Sequence, residues 1–227
     1  MFSLSDVNIA ITPSDREAVY RFRYDEYIVT YGRHSSAADH EQKTLTEDHD
    51  DRTILLMIKD HLRGDIIGTV SILPSRFPSN ITDYLQLSNY PVLGDLSTTD
   101  NKHIHYVSRL LVRKDQSSLK LASLLIEKAF IISVSMGCLI AFIHAAKRAG
   151  KMFERYGFIF YGDPFSYEGM PQLQYPLFVD TTCLGYFNSI NSPFSKHIRN
   201  STFESAPVRH KFSCFTDKYL NFNSEYL

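Results

Sequence analysis

The chain has 227 residues, enough for one large α/β domain to bury a core without disulfides or metals. A formal net charge of -1 excludes a global attraction to nucleic acid or anionic lipid, and 44% hydrophobic against 22% charged residues excludes a disordered chain. Three cysteines, Cys138, Cys183 and Cys214, lack the spacing of a disulfide framework or a zinc finger, which argues for reduced thiols, no metal and a cytoplasmic setting.

The N-terminus lacks the basic flank and apolar core of a signal peptide, and alternation from Asp6 to Ile11 predicts a first strand, ended by Pro13. Ser14 and Glu17 have capping-box spacing and predict a helix to about Tyr31, with Tyr20, Tyr24, Tyr27 and Tyr31 recurring along an aromatic core face. Polar residues from His34 to Asp51 predict a loop. Thr53–Lys59 and Ile66–Leu73 read as an antiparallel hairpin whose Gly64 supplies a positive φ. Pro74 to Asn101 reads as a long excursion with one short helix near Ile81–Leu87.

His103–Val112 predicts a central strand, followed by an amphipathic helix marked by Leu121, Leu125, Ala129 and Ile132. The apolar run from Ala129 to Ala146 nearly reaches membrane-span length, but Ser135-Met136-Gly137-Cys138 splits it, so a helix end and a buried strand are predicted instead of an integral membrane span. Cys138–His144 is that strand, Ala146–Tyr156 a helix capped by Gly157, and Phe158–Gly162 and Gln172–Val179 two further strands. The order predicts a mixed, mostly antiparallel sheet with helices on both faces over 1–180, and a C-terminal extension over 181–227 that is packed on it or partly ordered.

Tyr106–Leu125 is a strand, a polar loop and a helix, a junction that points backbone N–H groups and a positive helix end outward, as phosphates require. Arg113, Lys114 and Lys120 add charge there; an ordinary solvated loop is the alternative. His105 and His144 have the intrinsic pKa of a general base, and for each alone a structural role is the commoner one.

Phe153-Glu154-Arg155-Tyr156-Gly157-Phe158, closing a strand and helix, resembles the last motif of the GNAT acyltransferase superfamily. That resemblance implies a GNAT-like α/β fold and acyl transfer from a pantetheine thioester, with no tightly bound cofactor. The acyl-donor-binding group it implies is Leu110, Arg113, Lys114, Ser117, Ser118 and Lys120. The usual donor-loop glycines are replaced in Ser117-Ser118-Leu119-Lys120-Leu121-Ala122, which favours acyl carrier protein, presenting only the phosphopantetheine arm, over acyl-CoA.

Arg23 with Tyr27, Asp48 with Asp51, and Ser108-Arg109-Leu110-Leu111-Val112 are similar to the acyl-homoserine-lactone synthases and the long-chain N-acyl amino acid synthases. The likeness implies that Arg23, Tyr27, Asp48, Asp51 and Arg109 gather beside the donor cleft; a structural ion-pair cluster is the alternative. The chain has no Trp after its first helix and has Ser71 where the lactone synthases have Arg, so amino acid acylation is favoured. A bulge in the central strand would leave an N–H near Leu111 or Val112 to stabilise an oxyanion. Tyr106 stands where family members carry a Glu base, and Phe153 where they carry a Tyr acid. The other expectations are an acetyl-CoA-dependent N-acetyltransferase acting on small molecules and a degenerate GNAT fold that binds acyl chains without turnover.

Overall fold

The computed structural model describes residues 2–74, 104–114, 118–166 and 170–198. The short helix expected near Ile81–Leu87, together with Ser117 and Cys214, lies outside them. Nine strands, five α-helices and one π-helical turn are described among these residues.

A first compact unit comprises Met1–Leu73, Val107–Phe130 and Ser166–Gln172. Its strand β1 (Val7–Ile9) pairs antiparallel with β4 (Ile54–Lys59), which pairs antiparallel with β5 (Ile66–Pro74). Helix α1 spans Pro13–Tyr24, and its cap differs from the expected one: Thr12, not Ser14, accepts from the Asp15 amide at 3.1 Å. Pro13 therefore opens the helix instead of ending the strand, because its fixed φ and missing N–H suit the first helical position. A π-helical turn, Asp25–Thr30, carries the helix on towards Tyr31. The expected loop contains a small antiparallel pair, β2 (Ala38–Asp39) with β3 (Thr44–Leu45), then a 3-10 turn at Asp50–Arg52.

The core of this unit gathers Val19, Phe22, Tyr24 and Tyr27 from the helix with Leu45, Leu55, Met57, Ile66 and Leu111. Of the tyrosine stripe, Tyr24 and Tyr27 are buried and Tyr31 is exposed, since the helical face rotates out of the core at its end. Gly68 packs tightly where it stands: a Cβ there would meet Leu125 Cδ1 at 3.0 Å and the Leu111 carbonyl at 3.4 Å.

A second unit comprises Pro74–Tyr106, Ile131–Phe165 and Leu173–Leu227. Strand β6 (Ile104–Val112) contributes its first three residues to this unit, where Ile104, His105 and Tyr106 pair in parallel with Ile140, Ala141 and Phe142 of β7 (Ile140–Ala146). Between these strands in sequence runs α2 (Ser118–Ser135), so the apolar run resolves into a helix end, a turn at Gly137 with φ 84, and a strand. Among the described residues no helix is long and apolar enough to cross a membrane.

Helix α3 (Lys147–Glu154) follows, then β8 (Ile159–Phe160) and β9 (Gln174–Asp180), which is antiparallel to both β7 and β8. Gly157 has φ 103, open to glycine, and a Cβ there would lie 2.5 Å from Phe187. Phe187 belongs to α4 (Leu184–Ser189) and precedes α5 (Ser195–Ile198). Ser192 donates to the Tyr156 carbonyl and Phe194 packs on Tyr156 and Phe158, so residues 181–198 cover the end of α3. The strand order is β1-β4-β5-β6-β7-β9-β8, a mixed, mostly antiparallel sheet with helices.

Candidate active site

Two groups of chemistry-bearing side chains form, one in each unit. In the first, α1 turns Arg23 into the core rather than to water, and burying a guanidinium demands an acid. Asp50 supplies it: Arg23 Nη1 donates to Asp50 Oδ2 at 2.7 Å and Nη2 to Ser71 Oγ at 2.6 Å. The same Asp50 oxygen accepts from the Glu47 amide at 2.7 Å, tying the acidic loop to the helix. Arg16 adds to this tie by donating to the carbonyls of Asp50 and Thr53.

Arg109 Nη2 donates to Glu47 Oε1 at 2.6 Å, and its Cζ lies 5.0 Å from the Tyr27 ring centre. Burial opposes the charge on both partners. It is overridden in Glu47, where His49 and Arg109 hold the carboxyl well below the usual carboxylate range, and in Arg109, where Glu47 and Tyr27 raise the guanidinium further. Both stay charged.

The partners of the two arginines are thus Glu47 and Asp50, each one residue before the acids singled out in the sequence. Asp51 is exposed beside Arg52, and Asp48 is exposed as well. The signal that could have found them is the same three-residue spacing, set one position earlier in the run Glu47–Asp51.

Strand β6 does not keep a regular pleat. Arg109 has φ 53, a left-handed conformation unfavourable for a residue with a Cβ, so the irregularity falls at Arg109, before Leu111 and Val112. Leu111 is buried, while Leu110 and Val112 are half-buried. The Arg113 amide donates to the Ile67 carbonyl and its side chain to the Ile66 carbonyl at 2.7 Å, engaging Arg113 with β5. Lys114 and Lys120 are exposed, on either side of the start of α2, whose first residue is Ser118.

In the second unit Tyr106 and His144 meet: the phenol oxygen lies 3.3 Å from His144 Nδ1, and Phe165 packs edge-on to the imidazole at 4.9 Å. Burial lowers the His144 pKa to about 4, so the ring is neutral at physiological pH. His105 neighbours Tyr106 in an extended strand, so its side chain projects to the opposite face, where it is 1% exposed. The Cys138 thiol, buried beside the Ile140 carbonyl, is pushed up by burial and is inert as a nucleophile. Phe153 packs on Phe158 and has no proton to give. Among the described residues no group of His, Cys, Asp and Glu could hold a metal ion.

Residues 16–158 match the acetyltransferase (GNAT) family. The chain belongs to that family. No curated protein matches its sequence. Solved structures share the GNAT fold at low identity. TofI, in a ternary complex with an inhibitor and MTA, superposes with a TM-score of 0.62 at 16% identity, covering 85% of this chain and 99% of that one. MesI, a CoA-dependent acyl-homoserine lactone synthase, gives 0.57 at 16% identity over 85% and 90%. FeeM, an N-acyl amino acid synthase from uncultured soil microbes, gives 0.58 at 14% identity over 84% and 97%. The fold resemblance read from Tyr156-Gly157-Phe158 is therefore correct, and this GNAT chain has an acyltransferase fold.

Proposed function

We propose that this chain is an N-acyltransferase that moves an acyl group, long-chain by its resemblance, from acyl carrier protein to the amine of an amino acid in the cytoplasm. The observation that supports this most is the contact of the His144 imidazole with the Tyr106 phenol, which sets a ring nitrogen beside a hydroxyl. An incoming ammonium must lose a proton before it can attack, and only an uncharged ring can take it. The amine nitrogen then bonds to the thioester carbonyl carbon, the carbonyl oxygen becomes an oxyanion, and collapse breaks the C–S bond and releases the pantetheine thiolate, which takes up through water the second proton that the nitrogen sheds on becoming an amide. Backbone N–H groups of β6 near Leu111 and Val112 are the proposed oxyanion donors; the departure from the pleat at Arg109 supports that role. Burial of His105 on the other face of β6 favours His144 over it as the base.

The exposed Lys114 and Lys120 suit a phosphate at the start of α2, whether from carrier protein or from CoA. The test is thiol release with an acyl carrier protein, the matching acyl-CoA and acetyl-CoA, each with a panel of amino acids. Carrier-dependent turnover is expected, falling on the order of 10²- to 10⁴-fold in His144→Ala. Rapid turnover with acetyl-CoA alone would make the chain a small-molecule acetyltransferase, and an unchanged rate in His144→Ala would remove the imidazole from the mechanism.

A further inference from the structure

Arg33 is a cation stacked on two aromatic rings with no acid of its own. The π-helical turn closes at Tyr31, and Gly32, at φ 60, reverses the chain so that the Arg33 amide donates to the Tyr27 carbonyl at 2.9 Å. That reversal folds the side chain back, with Cζ 4.7 Å from the Tyr27 ring centre and 5.1 Å from that of Tyr31. Among the described residues the half-buried guanidinium makes no ion pair and no hydrogen bond. Arg109 approaches the same Tyr27 ring, but Glu47 matches its charge. Around Tyr27, then, stand two guanidiniums, of which Glu47 pairs with Arg109 alone.

Stacking holds a guanidinium by its face and leaves its rim of N–H donors free. A positioned, planar fork of this kind fits a carboxylate through two parallel hydrogen bonds. We propose that Arg33 is the residue that binds the carboxylate of the acceptor amino acid, an inference that rests on the acyl-transfer reading. Its one unmatched charge suits a monoanion, and the donor's phosphate already has exposed lysines near the start of α2.

Titration calorimetry on the full chain tests this without turnover, using N-dodecanoylglycine and its uncharged analogue N-dodecanoylglycinamide. Wild type should bind the acid more tightly than the amide by on the order of tenfold to a hundredfold. Arg33→Gln should bind the two alike, and Arg33→Lys should keep part of the preference, with thermal unfolding midpoints showing that both variants fold. Equal binding of acid and amide by wild type, no binding of either, or a preference retained in Arg33→Gln would overturn the assignment. A weakened affinity for CoA in Arg33→Gln, with the acid preference intact, would move Arg33 to the donor's phosphate and also overturn it. An intact acid preference in a chain that transfers no acyl group would sink the transfer reading while the carboxylate site stands.

Discussion

The two groups of polar side chains differ in how their charge is handled. Around Arg23 and Arg109 each guanidinium is locked to a carboxylate, and those locks join α1, the Glu47–Asp50 loop and β5. Around Tyr106 and His144 there is a neutral phenol, a neutral imidazole and an aromatic ring. Groups already neutralised by one another hold segments in place, whereas an uncharged imidazole can still accept a proton. The first group therefore reads as the brace of its unit, and the second is the proposed place for chemistry.

Breaking the brace should give the largest effect. Arg23→Ala leaves the Asp50 carboxylate buried without its cation, and such losses cost about 3–5 kcal/mol. Urea unfolding should register that loss, and the double variant Arg23→Met, Asp50→Leu should recover much of it, because no lone charge remains. A double variant as unstable as the single one would show that packing of the guanidinium, not charge, does the bracing.

The pH dependence of stability separates the groups next. The folded pKa of His144, about 4, lies below its ordinary 6.5, so between those values the unfolded chain binds a proton that the folded chain refuses. Stability from this group is full above pH 6.5 and falls as pH drops to 4, by roughly 3 kcal/mol. The lowered carboxyl of Glu47 acts in the other window: its contribution is present above about pH 4.5 and is lost only below it. Urea unfolding between pH 7 and 5 should thus steepen for wild type and flatten for His144→Phe. Parallel curves for the two proteins would mean that His144 takes up its proton in the folded state as readily as in the unfolded.

How much of this could be read from the residues follows from physical range. Buried apolar runs such as Leu139–Ala145 and the Tyr-Gly-Phe turn encode their elements locally, and the strand and helix order was legible from them. The cap was misread by two residues because Pro13 serves equally to end a strand and to open a helix. The acid partners were misread by one because a run of five acidic and His residues has no periodicity to mark which side chain turns inward. Neither the π-helical turn nor the positive φ of Arg109 has a signature in residue type. The β2–β3 pair, two residues a side, is too short for alternation to show. In the site, Tyr106 and His144 were legible as candidates, but their contact depends on a parallel register between strands separated by a whole helix.

The smallest effect sharpens the reading of that contact. In Tyr106→Phe the imidazole loses the phenol but keeps its Phe165 contact, and the substitution removes one oxygen without opening a large cavity. A neutral hydrogen bond contributes about 0.5–1.5 kcal/mol, so stability should change by no more than that. If the phenol only orients His144, kcat should fall by a similarly modest factor with the pH profile unshifted, since the proton acceptor is still present. If instead Tyr106 relays the proton, Tyr106→Phe should cost as much in rate as His144→Ala, and the two losses should not add. Rates for the single and double variants distinguish an orienting phenol from a relay, and therefore decide whether the neutral group contains one working proton acceptor or two.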